Sequence, residues 1–220
     1  MIWPGVKKVT NGVCMPFLYA FGRFFARIWC KLGGCHIMGR ENIPAQGAFL
    51  VIANHSSFAD PILLAIIFPQ HITFIAKEQF KRQGFTRWLF GNGLGAVFLS
   101  KEESDMSALR TAIKLLKNGR TVGIFPEWHR NTDQKIGQFM PGAVYIALKA
   151  AVPVIPVAIY NGRELRRLYK RQIVVNIGQP IKTVGNAKIT QEELAAQAGS
   201  FQQIVAELFR ESEHYACQGV

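Results

Sequence analysis

Acidic residues are scarce in this chain. Its 220 residues hold 14 Asp and Glu against 26 Lys and Arg, a formal net charge of +12, and residues 1–40 contain no acid at all. Long apolar runs are missing too. A conventional transmembrane helix needs about 18 or more apolar residues in a row, and the best candidate, Val13 to Leu32, is interrupted by Pro16, Arg23, Arg27 and Lys31. A signal peptide is not expected either: Lys7 and Lys8 precede an apolar run, but no small-x-small cleavage site follows. Cysteine is limited to Cys14, Cys30, Cys35 and Cys217, without a C-x-x-C pair or a Cys/His cluster of zinc spacing. A reducing compartment is therefore expected, and no metal site. Low-complexity linkers and internal repeats are absent. With 49% hydrophobic and 18% charged residues the chain is too apolar for disorder. Its length suits one well-buried domain, or one domain plus an appendage.

The positive charge has two anionic partners to choose from, nucleic acid and a membrane surface. Its distribution separates them. One concentration is Lys7, Lys8, Arg23, Arg27, Lys31 and Arg40. Between them, Phe17, Phe21, Phe24, Phe25, Ile28 and Leu32 recur at three- and four-residue steps, and Gly33-Gly34 is a natural stop. This spacing predicts an amphipathic helix over 17–32. It either packs on the domain or lies in a bilayer interface, with aromatics in the acyl boundary and bases on the phosphates. The second concentration is Arg163, Arg166, Arg167, Lys170 and Arg171, with the single acid Glu164. It reads as a solvated face or as a contact for lipid head groups or an acidic protein. No helix-turn-helix, zinc-finger or RNP signature accompanies the charge, so nucleic acid is not an expected partner.

From residue 48 onward, short apolar runs alternate with helical patterns. Strands are expected at 48–53, 72–76, 97–99, 121–125, 154–159 and 173–177. A helix is expected over 61–68, with Asp60 as its N-cap and Pro61 as its first residue. Another should start at Ser104 and close at Asn118-Gly119. A third covers 142–150, and the last begins near Thr190, where Thr190 and Glu193 have capping-box spacing. The fold class is α/β: a largely parallel mixed sheet flanked by helices.

The first of these strands runs directly into Asn54-His55-Ser56-Ser57-Phe58-Ala59-Asp60-Pro61. Ligands gather at the carboxyl ends of strands in such sheets. A five-residue turn can fold the Asp60 carboxylate back onto the His55 imidazole, fixing its tautomer and leaving the other nitrogen as a general base. A surface histidine near an N-capping aspartate would give the same spacing.

In this block the chain resembles the glycerolipid acyltransferases, the family that includes bacterial 1-acylglycerol-3-phosphate acyltransferases. The family's N-H-x4-D signature is matched by Asn54, His55, Asp60 and Pro61. The run 74–78 looks like its strand ending in a lysine, here Lys77. The run 95–101 resembles its second block, with Lys101 where arginine is usual. Phe125-Pro126-Glu127 resembles the opening of F-P-E-G-T-R-S. Pro141-Gly142-Ala143, the run 152–157 and Gly178-Gln179-Pro180-Ile181 follow in the family's order.

The aromatic, basic N-terminal pattern points to an amphipathic membrane-docking helical segment, 1–35, and the resemblance to an acyltransferase domain, 36–220, acting at the cytoplasmic face of a membrane. It implies acyl transfer from an acyl carrier protein or CoA thioester to the free hydroxyl of a lysophospholipid. The leading acceptor is 1-acylglycerol 3-phosphate and the product phosphatidic acid. His55 would be the base and Asp60 its orienting partner. Asn54, Lys77, Lys101, Glu127 and Arg130 would serve the substrates, with Glu127 holding Arg130 or a glycerol hydroxyl. The oxyanion donor would be a backbone N–H of the turn or Lys77. No cofactor is expected beyond the thioester co-substrate. Trp128-His129 in place of Gly-Thr, Asn131 in place of Ser, and Lys101 leave a different lysolipid acceptor open. A non-catalytic peripheral lipid-binding protein is the reading from another class.

Overall fold

The computed structural model describes Phe24, Ile28, Cys30 and residues 34–77, 97–99, 105–127, 130–131, 135–166, 172–185 and 189–218. In chain order the elements are β1 (Cys35–Met38), β2 (Leu50–Ala53), α1 (Asp60–Ile67), β3 (Ile72–Lys77), β4 (Val97–Leu99), α2 (Asp105–Lys117), β5 (Thr121–Ile124), α3 (Gly142–Ala150), β6 (Val154–Tyr160), β7 (Ile173–Ile177) and α4 (Gln191–Cys217). The seven strands form one sheet in the order β1-β7-β6-β2-β5-β3-β4. Strands β6, β2, β5, β3 and β4 run parallel, and β7 returns antiparallel to β6 with β1 parallel to it. The expected largely parallel mixed sheet is what forms.

Strand β2 is central because its residues bury both faces. Phe49, Val51 and Ala53 point to one side with Leu63, Leu64, Ile67 and Phe68, the layer of α1. Leu50 and Ile52 point to the other, where α2, α3 and α4 supply Leu116, Val144, Ala147, Phe201 and Val205. A strand covered on both sides reads as a continuous apolar run rather than an alternation, which is why 48–53 stood out in the sequence. In α4, Leu194, Ala198, Phe201, Val205 and Phe209 form the buried stripe. Its first turn carries the expected capping box: the Thr190 hydroxyl accepts the Glu193 amide at 3.2 Å, and the Glu193 carboxylate accepts the Thr190 amide at 2.8 Å. At the end of α2, Gly119 takes a left-handed φ of 77°, and its amide and that of Arg120 satisfy the last carbonyls.

Two differences from the sequence expectation have physical causes. Strand β1 is an addition. Its four residues carry only one β-branched side chain and are half-buried, and it exists through ladder pairing with β7. It starts at Cys35, the last residue of the expected N-terminal segment. Asp60 is not an N-cap. It is the first residue of α1, Ala59 precedes it without a side-chain cap, and its carboxylate is turned back toward the preceding loop. Of the expected helix over 17–32, Phe24, Ile28 and Cys30 are described and are helical; the remainder lies outside the described residues, as do Ser104 and the basic run 167–171.

Candidate active site

The carboxyl ends of β2, β5 and β6 lie side by side on one edge of the sheet. The chain leaving β2 there folds around one buried carboxylate. Asp60 is fully buried, and its Oδ2 accepts the amides of Ser56 at 2.8 Å and Ser57 at 2.7 Å. His55 Nδ1 lies 3.0 Å from the same oxygen. Backbone amides can only donate, so Oδ2 is an acceptor throughout and Nδ1 carries the proton. Nε2 is then the nitrogen with a free lone pair, on a side chain that keeps 21% of its surface exposed.

The imidazole also has a platform. The Phe125 ring stacks on it at a centroid distance of 4.2 Å, and Phe74 stacks on Phe125 at 5.9 Å. Gly123 makes the column possible: a Cβ there would meet Phe74 at 2.5 Å.

Asn54 has a structural place. Its amide nitrogen donates to the Ile159 carbonyl at 3.0 Å, and its oxygen accepts the Ile159 amide at 2.7 Å. With 3% exposure it locks the start of the turn to β6. Both ends of the side chain are thus engaged by the β6 backbone. Glu127 is also buried, at 8% exposure. Its Oε1 accepts the His55 amide at 3.2 Å, and it makes no ion pair with Arg130 among the described residues, contrary to one expected role. Burial raises its carboxyl from the ordinary 4.5 to about 7; the His55 and Gly137 amides pull it down, and the charge of Asp60 adds to the rise. Arg130 is exposed, and Lys77 ends β3 on the same sheet edge. Lys101, Trp128 and His129 lie outside the described residues.

The turn's amides are committed. Besides those of His55, Ser56 and Ser57, the Ala59 amide donates to Ser57 Oγ and the Asp60 amide to the Ser57 carbonyl. These five amides are engaged within the turn and the Glu127 side chain.

Sequence reasoning passed over two neighbours of this turn. After β6, Asn161 adopts φ 56° and swings Gly162 onto Asp60. A Cβ on Gly162 would collide with Asp60 Oδ1, an oxygen with no hydrogen-bond partner among the described residues. The next residue, Arg163, donates from Nε to the Ser56 carbonyl at 3.3 Å. Gly162→Ala is expected to push the carboxylate off its three donors. The overpacking should cost about 1–3 kcal/mol, read as a lower urea midpoint, together with a loss of activity that equally mild surface variants do not show. An unchanged midpoint and rate would show that the contact relaxes freely.

Among the described residues no cluster of His, Cys, Asp or Glu is arranged to hold a metal ion. Two surface cavities lie away from the turn, one lined by Gln70, His71 and Arg120 and the other between Gly178 and Leu208.

Residues 34–160, more than half of the chain, match the family model described as Acyltransferase. The 1-acyl-sn-glycerol-3-phosphate acyltransferase of Bacillus subtilis is 32% identical over 183 residues, which span 80% of this chain and 88% of that one. The enzyme of the same name from Borreliella burgdorferi is 29% identical over 144 residues, 64% of this chain and 56% of that one. Among solved structures, the 1-acyl-sn-glycerophosphate (LPA) acyltransferase PlsC of Thermotoga maritima aligns with a TM-score of 0.69 at 32% identity, covering 90% of this chain and 79% of that one. The chain belongs to the acyltransferase family and is an enzyme of that class.

Proposed function

We propose that the protein transfers a fatty acyl group from the thioester of an acyl carrier protein or CoA to the free hydroxyl of 1-acylglycerol 3-phosphate, giving phosphatidic acid. The observation that carries the mechanism is the contact of His55 Nδ1 with buried Asp60. As the hydroxyl oxygen bonds to the thioester carbon, its proton passes to His55 Nε2. The carbonyl becomes an oxyanion, then re-forms as the carbon–sulfur bond breaks, and the imidazolium returns the proton to the departing thiolate. Asp60 stabilises the imidazolium between the two transfers. The substrate supplies the nucleophile, so no acyl-enzyme is required. With those five amides engaged, a cation on the same edge is the fitting oxyanion partner, and Lys77, at the end of β3, is the candidate. Lys101 and Arg130 are the candidates for the phosphate, Arg130 through bidentate hydrogen bonds and Lys101 as a point charge.

Purified protein incubated with labelled acyl-CoA or acyl carrier protein, and a panel of lysolipids, tests the reading and separates the two donors. Transfer to lysolipids of other head groups but not to 1-acylglycerol 3-phosphate would select the alternative acceptor. No transfer to any of them, where a related enzyme works, would remove the assignment.

The site's proposed location is the cytoplasmic face of a membrane. No helix among the described residues is long and apolar enough to cross one. In the N-terminal helix, Cys30 packs in the α1 layer while Phe24 and Ile28 are 60% and 41% exposed. Cys30 stands about 200° around the helix axis from Ile28, so Phe24 and Ile28 point away from the domain. Two exposed apolar side chains, in a stretch of sequence whose bases are Arg23, Arg27 and Lys31, suit an anionic bilayer surface. Phe24→Glu with Ile28→Glu is expected to weaken sedimentation with anionic vesicles by at least ~10-fold while leaving the melting temperature in place. Unchanged vesicle binding would mean that this face is not the anchor.

A further inference from the structure

Glu127 occupies a place that the strand register dictates. In the β2–β5 ladder Leu50 pairs with Val122 and Ile52 with Ile124. Continued at the same offset, His55 stands opposite Glu127. The ladder cannot run that far, because Pro126 has no N–H to give and its carbonyl accepts the Met140 amide instead. The His55 amide would lose its strand partner. The Glu127 side chain takes that role: Oε1 accepts the His55 amide at 3.2 Å. On the other side of the same residue, the His55 carbonyl accepts the Asn131 amide at 2.8 Å. The loop after β5 therefore grips the main chain of His55 from both ends, while Phe125 in the same loop supports the ring.

The second oxygen of Glu127 is enclosed. Gly137 closes over it so tightly that a Cβ there would lie 3.0 Å from Oε2. One oxygen on a backbone amide, the other under backbone, and 8% exposure together turn the carboxylate toward the protein rather than toward solvent. We infer that Glu127 is a positioning residue for His55, acting through the His55 main chain, and is not a ligand of the acceptor. The inference rests on the reading of His55 as the base. Asp60 fixes the imidazole at Nδ1, and Glu127 fixes the backbone from which the imidazole hangs. A misplacement of about 1 Å in such a group can cost ~10²-fold in rate.

Steady-state kinetics of the full chain with Glu127→Gln and Glu127→Ala test this, alongside the backbone 15N–1H resonance of His55 in protein labelled at histidine. Glutamine keeps an oxygen for the His55 amide; alanine does not. The expected result is a kcat within ~10-fold of wild type for glutamine and ~10²-fold lower for alanine. The acceptor KM should stay within about 2–3-fold in both. The His55 amide resonance should move upfield in the alanine variant and return most of the way in the glutamine variant. A rise of ~10-fold or more in acceptor KM with glutamine, at unchanged kcat, would put Glu127 on the substrate and overturn the inference. So would equal kcat losses in the two variants with an unmoved His55 resonance. If the alanine variant does not fold, the glutamine variant decides through its KM and resonance. The acyl-transfer reading fails separately, if His55→Ala keeps the wild-type rate.

Discussion

His55→Ala lowers kcat for acyl transfer by roughly 10²- to 10⁴-fold, with vesicle binding and melting temperature close to wild type. The magnitude follows from what the imidazole supplies. An alcohol is almost entirely un-ionised at neutral pH, and a positioned base contributes that much by taking its proton during attack. The Nε2 lone pair is on the outward side of a ring whose inward nitrogen is held 3.0 Å from a fully buried carboxylate. What survives in the variant is binding and orientation of the two substrates. Asp60→Asn tests the other half of the pair. Asparagine can still accept the Ser56 and Ser57 amides, so the turn keeps its shape, but no negative charge faces the imidazolium. A large kcat loss with little change in stability is expected. The assay is initial-rate transfer of labelled acyl groups to a lysolipid at saturating concentrations of both substrates. If His55→Ala retains a rate within tenfold of wild type, the base lies elsewhere. If it loses transfer but keeps vesicle binding, the non-catalytic lipid-binding alternative is gone.

The parts of this site that could be read from the sequence are those whose chemistry is local. The apolar run of β2, the H-x4-D spacing and Pro61 lie within fourteen consecutive positions of one another, 48–61, and a strand-turn-helix puts them together unaided. The α4 start was legible for the same reason, because a capping box spans only Thr190 to Glu193. What could not be read depends on register or on distant chain. Glu127 meets His55 because β2 and β5 pair at a fixed offset, which no local pattern encodes. Asn54 carries an amide that suits a substrate as well as a strand, and only β6 alongside decides for Ile159. Gly162 looks like an ordinary turn glycine after Asn161, until the start of α1 is seen beneath it. Strand β1 is short and weakly β-forming, and it follows from the position of β7. Local pattern therefore specified the His55–Asp60 pair, and tertiary pairing specified the groups that hold it in place.

Those holding groups come at a thermodynamic cost, and Glu127 is where the cost can be measured. Its carboxyl is raised from 4.5 to about 7, chiefly by burial. Between those values the folded protein binds this proton and the unfolded chain has released it. Stability therefore falls as pH rises from about 4.5 to about 7 and loses nothing more from this group above that. The full gap between the two values is worth up to about 3 kcal/mol. Glutamine at 127 carries no titrating proton yet still offers an oxygen to the His55 amide. Glu127→Gln is thus expected to match wild type in urea unfolding at pH 5 and to exceed it by up to about 3 kcal/mol at pH 8. Taking the difference between the two proteins cancels the other titrating groups. A difference that is the same at both pH values would mean that the buried carboxylate carries no ionisation penalty. If the gain at pH 8 appears together with a lower kcat, the fold is giving up stability to keep an anionic acceptor on the His55 amide. That is the stability–activity exchange expected where a buried charge serves catalysis rather than packing.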